Sequence, residues 1–245
     1  MTRSPVPAPG RAARCALMAS CGALTLHIAG CTGSLLQSKA APPSVYMLSA
    51  QLEAPAAAEV AADLAVQKPH ARAGLGSARI AVLYQDHRLD YYAAARWSGP
   101  LDEMVQDLAV QAFRSSARLR NVSADGSAFA SGYWLEIEIA DFQAEYAAAG
   151  GPGAAAPPTI NVRLMARIGG AGDRRVVGSF DVGARRKAAD NRLTAIIDAY
   201  QRAVDAALAE LVADSVRTLA MNQNSTGPDL RPERLGTAPQ GIPGR

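Results

Sequence analysis

Few side chains in this 245-residue sequence could do chemistry, and one of them stands out by its setting. Cys31 follows Ile28-Ala29-Gly30, small residues that suit a signal peptidase, with a thiol placed to accept lipid. Arg3, Arg11 and Arg14 form a basic leader, with no Asp or Glu before Cys31. The uncharged run over 15–28 is shorter than the roughly 20 apolar residues that span a hydrocarbon core. These features predict a lipoprotein signal peptide over 1–30 and lipid attachment at Cys31. Cys15 and Cys21 fall in the cleaved segment, so the mature chain keeps a single thiol. That excludes a disulfide framework and a thiolate metal site.

The other reactive residues do not assemble into a set. His70 and His87 fall in predicted loops without a cysteine partner, so no metal site is expected. No G-x-S-x-G elbow, H-E-x-x-H helix or phosphate-binding loop occurs. The glycines at 74, 76, 150, 151 and 153 lack the strand-to-helix setting of a phosphate cradle. Asp141 and Glu145, near the end of a predicted strand, are the acids to inspect for proton transfer. Tyr91, Tyr92 and Trp97 read as core residues rather than a stacking platform, because their strand feeds a helix. Removing the three leader arginines from the 25 basic residues leaves 22, equal to the number of acids. A neutral mature chain offers no electrostatic case for nucleic acid, or for holding an anionic membrane by charge alone. The expectation is a binding or scaffolding protein, with no catalytic residues, cofactor or metal.

The elements that would position these residues follow from periodicity. Residues 31–44 read as a lipidated anchor and Ala/Pro/Ser spacer, and Val45-Tyr46-Met47-Leu48 as a first short strand. The Ala-rich stretch 51–77 reads as a loop or irregular crossover. Ile80, Val82 and Tyr84 alternate as a strand, Asp86-His87-Arg88 is a turn, and 89–97 returns as a second strand. Ser98-Gly99-Pro100 then opens a helix to about Ser116, with Pro100 at its start and Asp102 and Glu103 complementing its N-terminus. Residues 118–123 suggest a short strand. Leu135, Ile137 and Ile139, then Ile160 to Ile168, then 176–184 predict a three-stranded meander, interrupted by an Ala/Gly/Pro loop over 147–158. Its first two strands would bring Glu136 and Glu138 near Arg163 and Arg167. A long helix is expected from Asn191 to about Ala220, and a disordered tail over 221–245. Together these predict one α+β domain over 45–220, with a mixed, mostly antiparallel sheet and two main helices packed on one face.

The order of Cys31, Val45-Tyr46-Met47-Leu48 and Leu89-Asp90-Tyr91-Tyr92-Ala93-Ala94-Ala95-Arg96-Trp97-Ser98-Gly99-Pro100-Leu101 resembles the ABC-type transport auxiliary lipoproteins, the PqiC/YmbA-like family. Asp90, Tyr91, Tyr92, Arg96, Trp97, Pro100 and Leu101 carry the signature, and the resemblance covers roughly residues 46–219. It implies an accessory lipoprotein on the periplasmic face of the outer membrane, docking an MCE-domain protein that works with an ABC permease and ATPase. Such systems move phospholipids or other hydrophobic molecules across the envelope. Thr32 in place of Asp after the lipidated cysteine fits outer-membrane sorting as that family would have it. The alternative expectation is a free-standing lipoprotein that supports outer-membrane integrity without a transporter. Homo-oligomer formation is open on sequence grounds.

Overall fold

The organising strand is β7 (Tyr133–Tyr146), because both of its edges are paired along most of its length. The computed structural model describes residues 42–52, 58–147 and 156–225. On one side β7 pairs antiparallel with β8 (Thr159–Gly170), which pairs antiparallel with β9 (Val176–Lys187), as the expected meander. Along its other side β7 meets three short strands in series, all parallel to it: β2 (Val60–Val66), β3 (His70–Ala71) and β4 (Arg79–Tyr84). β2 pairs onward with β6 (Leu119–Ala124), and β4 pairs with β5 (Leu89–Trp97), which carries β1 (Ser44–Tyr46) at its edge. The sheet is mixed, and its two longest pairings are antiparallel.

Two expectations need correction here. The stretch 51–77 is not simply a crossover, because it contributes β2 and β3 to the sheet. In β2 the residues Ala62, Leu64 and Val66 are buried in alternation, so the period-2 signal was present but carried by small side chains. The long helix also continues past Ala220, to Ser225. The expected loop at 147–158 and the tail lie largely outside the described residues, as does Cys31.

Two helices cover the sheet. Helix α1 (Leu101–Ser116) buries Leu101, Met104, Val105, Leu108, Ala112 and Phe113 on one stripe. It ends at Ala117 in the left-handed conformation, whose N–H returns to the Arg114 carbonyl. Helix α2 (Leu193–Ser225) is longer and packs against β8 and β9 with its alanine-rich face. Leu64, Ile80, Leu135, Ile137, Ile139 and Ile160 share one core cluster with buried residues of both helices. The described residues from Pro43 onward make one compact unit. No helix among the described residues is long and apolar enough to cross a membrane.

A bulge in β7 decides which side chains face out. The register with β8 shifts between Ile139 and Asp141. Before it the odd residues 135, 137 and 139 are buried; after it the even residues 142, 144 and 146 are. The extra residue reverses the alternation, as an inserted residue in one strand must. Asp141, Gln143 and Glu145 thereby join Glu136 and Glu138 on the face away from the core.

Candidate functional site

Of the β5 residues singled out in the sequence, Trp97 is buried, Tyr91 and Tyr92 are half-buried, and Asp90 and Arg96 are exposed. Between Arg79↔Arg96 and Ala81↔Tyr91 the pairing with β4 slips, with β5 advancing five residues against two on β4. The displaced stretch lets adjacent tyrosines take different partners. The Tyr91 hydroxyl donates to the Gly74 carbonyl at 2.9 Å, and the Arg79 guanidinium lies 3.5 Å over the Tyr91 ring. The Tyr92 and Tyr146 hydroxyls are 2.9 Å apart, and the Tyr146 hydroxyl donates to Asn191 Oδ1 at 2.5 Å. Because Tyr146 spends its proton on Asn191, Tyr92 is the donor of that pair. Burial pushes the Tyr92 phenol far up and raises that of Tyr146, so neither supplies a phenolate near neutral pH.

Trp97 is the centre of the core's aromatic group. Its ring meets Phe142 edge-on at 5.9 Å and Tyr200 edge-on at 5.0 Å, while Phe142 and Tyr200 stack at 5.5 Å. The Tyr200 hydroxyl is fully buried and donates to the Ala81 carbonyl at 3.3 Å, and desolvation raises its pKa strongly. At the junction with α1, the Trp97 N–H donates to the Ala78 carbonyl and the Ser98 N–H to the Tyr46 carbonyl, each at 2.8 Å. Pro100 sits immediately before the helix, with Leu101 as its first residue and fully buried. The Asp90 carboxylate accepts from the Tyr91 N–H at 2.8 Å. Arg96 is exposed and makes no ion pair among the described residues; its register neighbours are Val45 and Arg79.

The two acids singled out for proton transfer lie together on the outer face of the meander, and both are already engaged. Gln143, buried between them, donates to Asp141 Oδ1 and Glu145 Oε1, each at 3.1 Å, and accepts the Phe142 N–H at 2.7 Å. Arg163 Nε holds Asp141 Oδ2 at 2.7 Å, with Arg72 at 3.7 Å from the other oxygen. Glu145 pairs with Arg185 and accepts from Asn161 Nδ2 at 2.8 Å. Partial burial pushes the Asp141 carboxyl up, but the hydrogen bonds from Arg163 and Gln143 and the two arginine charges outweigh it and hold it below the usual value. A carboxylate held ionised in this way is a poor proton donor. Glu136 pairs with Arg167 at 3.3 Å as expected, but Glu138 faces Met165 because the bulge turns Arg163 to Asp141.

His70 lies in β3 opposite Glu138, and His87 sits in the β4–β5 turn with φ 64°. No group of three or more His, Cys, Asp or Glu among the described residues could hold a metal. A small cleft of about 160 Å³ lies beside Asp141 and Gln143, and two larger ones lie at the opposite end of the sheet. One of about 760 Å³ is bounded by Tyr133, Asp173, Val176 and Asn222, and one of about 320 Å³ by Phe180, Thr218 and Met221.

Sequence reasoning missed a polar clamp on the chain after β1. Gln201 Oε1 accepts the Ser49 N–H at 3.1 Å and its Nε2 donates to the Ser49 carbonyl at 2.5 Å. Gln111 Oε1 accepts the Ala50 N–H at 3.2 Å, and Asp205 the Gln51 N–H at 3.1 Å. These contacts address backbone alone, so no side-chain pattern announces them.

The comparisons with known proteins agree with this architecture. A family model described as "ABC-type transport auxiliary lipoprotein component" matches residues 46–212, from β1 into α2. The chain belongs to that family. It is a family of transport auxiliary lipoproteins and not a known enzyme family. Among solved structures, protein XCC0632 from Xanthomonas campestris, assigned to the DUF330 family, is 28% identical, covering 75% of this chain and 99% of its own, with a TM-score of 0.64. A second structure, of an uncharacterized protein, is 12% identical over 71% of this chain and 99% of its own, with a TM-score of 0.52, and shows the shared fold. No curated protein matches the sequence.

Proposed function

We propose that this auxiliary lipoprotein is anchored through Cys31 on the periplasmic face of the outer membrane. There it serves an ABC transporter of the MCE type that moves phospholipid or other hydrophobic molecules. Its partners on this reading are the MCE-domain protein and the ABC permease and ATPase behind it. The observation that carries the reading is the family match across 46–212, a range that spans β5. The chemistry of the folded chain supports an accessory role without catalysis. Asp141 and Glu145 are neutralised by arginines, and the Tyr92 and Tyr146 phenols are held neutral. Thr32 beside the lipidated cysteine supports the outer-membrane assignment. The thirteen-residue step from Cys31 to Ser44 spans at most about 45 Å when extended, enough to keep the domain beside the bilayer.

The test is intact-mass analysis of the protein extracted from membranes separated on a density gradient. A chain beginning at Cys31, carrying acyl groups and found in the outer-membrane fraction, is the expected result. An unmodified Cys31, or an uncleaved leader, contradicts the anchor. Recovery in the inner-membrane fraction contradicts the sorting.

A further inference from the structure

The β4–β5 hairpin holds an arrangement that the rest of the sheet avoids. Arg79↔Arg96 is the one like-charged register pair among the described strands. The other register pairs of two charged residues, Glu136↔Arg167 and Asp141↔Arg163, are of opposite sign. Because the Trp97 N–H donates to the Ala78 carbonyl, Arg79 and Arg96 form a non-hydrogen-bonded pair of the ladder. Facing Cα atoms in such a pair are about 4.5 Å apart, and the side chains are at their closest. Like charges directly opposite one another destabilise a sheet.

Nothing beside the pair relieves that repulsion. Both arginines are exposed, and neither makes an ion pair among the described residues. Asp90 is the one acid of β1, β4 and β5, and it lies with Asp86 at the turn end of the hairpin, whereas the arginines stand at its open end. Asp141 on β7 is held by Arg163 and Arg72, and Asp102 and Glu103 at the start of α1 are held by Lys68. The Arg79 guanidinium is instead turned over the Tyr91 ring, which its hydroxyl ties to Gly74. On the other side Arg96 is level with Val45 of β1, which is exposed, as is Met47 two residues on and so on the same face. Arg174, Arg175, Arg186 and Lys187 also lack ion pairs among the described residues, but no register pair sets any of them against a second cation. The face built of Val45, Met47, Tyr91, Arg79 and Arg96 therefore joins two cations to apolar and aromatic side chains without an acid. Arginine, tyrosine and methionine, with acids depleted, are the residues that fill the centre of protein interfaces.

We propose that this face docks a protein partner through a segment carrying an Asp or Glu among apolar residues, its carboxylate lying between Arg79 and Arg96. Each guanidinium fork can donate two parallel hydrogen bonds to a carboxylate, so the occupant turns the repulsion into attraction. The apolar flanks favour a protein segment over a lipid headgroup. The inference rests on the accessory-subunit reading for the existence of a partner and adds the surface that meets it. Photo-cross-linking in cells tests it, with benzoylphenylalanine placed at Met47 of the full-length protein and the linked peptide identified by mass spectrometry. A peptide of another protein, with Asp or Glu beside apolar residues, is the expected product. Arg96→Glu creates an opposite-charge pair with Arg79, so its Tm is expected to hold or rise while the yield falls about tenfold or more. Changing the partner's acid to Arg is expected to restore the product in that variant. Arg175→Glu, outside the face, is expected to leave the yield unchanged. A yield indifferent to Arg96→Glu, a Tm that falls with it, a product confined to lipid or to a second copy of this chain, or no product overturns the proposal. If charge exchange restores the product but the linked protein belongs to no transporter, the surface stands and the transport reading fails. If transporter subunits co-purify without a cross-link from Met47, that reading stands and the surface fails.

Discussion

The β5 signature and the outer row of β7 lie two strands apart and use their polar and aromatic residues in opposite ways. On β5, Trp97 and Tyr92 point into the core, where the aromatic packing with Phe142 and Tyr200 and the hydroxyl link to Tyr146 close the fold. On β7, Asp141, Gln143 and Glu145 are turned outward by a bulge, the two acids bound to arginines of β8, β9 and the segment after β3 and Gln143 bridging them. Packing thus accounts for Trp97 and the two tyrosines of β5, while Asp90 and Arg96 are exposed, and the acids that looked chemically able are consumed by a surface network.

The largest effect that separates the two regions is expected at Trp97. Trp97→Ala removes a fully buried ring and leaves a cavity against Phe142 and Tyr200, costing about 3–5 kcal/mol. A fall in Tm of roughly 10 °C or more is expected by circular dichroism, from about 2–4 °C per kcal/mol at this domain size. If the melting curve were unchanged while partner binding vanished, the signature would be a contact surface instead.

Gln143 comes next, as the one residue of the outer row that is itself buried. Gln143→Leu strands the Phe142 N–H and takes a donor from each carboxylate, for a loss of about 1–3 kcal/mol in urea denaturation. A neutral result would show that water replaces the amide and that the network is looser than its distances suggest.

The polar half of the comparison should also show in acid. Asp63 on β2 is hydrogen-bonded to Arg120 and then Asn121, which together lower its pKa from 3.8 to about 2. The unfolded chain therefore binds the proton first as pH falls. The contribution of this pair is complete above about pH 5 and is lost as pH drops through 3.8 toward 2. Exposure to solvent limits it to about 1 kcal/mol. The stability difference between wild type and Asp63→Asn should shrink across that window and stay flat from pH 5 to 8. The smallest effect is expected at Glu136→Ala, whose pair with Arg167 is open to water, within about 0.5 kcal/mol.

Much of this architecture was legible because strongly alternating or strongly amphipathic stretches leave little choice. β5, α1 and the β7–β9 meander fall where periodicity put them, and the Asp86-His87-Arg88 turn joins β4 to β5. β2 escaped notice because alanine fills its weaker positions and Pro55 and Pro69 flank it, so a real alternation looked like a loop. The bulge at Ala140 was invisible for another reason. It changes which residues face out without changing composition, and only register with β8 shows that Arg163 meets Asp141 rather than Glu138. The Gln201 clamp reads backbone and leaves no trace in residue type.

The central claim is that this chain works as a partner within a transport assembly. Affinity purification of the tagged full-length protein from native membranes in gentle detergent, with mass spectrometry of what accompanies it, tests that most directly. Reproducible recovery of an MCE-domain protein together with an ABC permease and ATPase is the predicted result. Recovery of the acylated lipoprotein alone, under conditions that keep other envelope complexes whole, would contradict it.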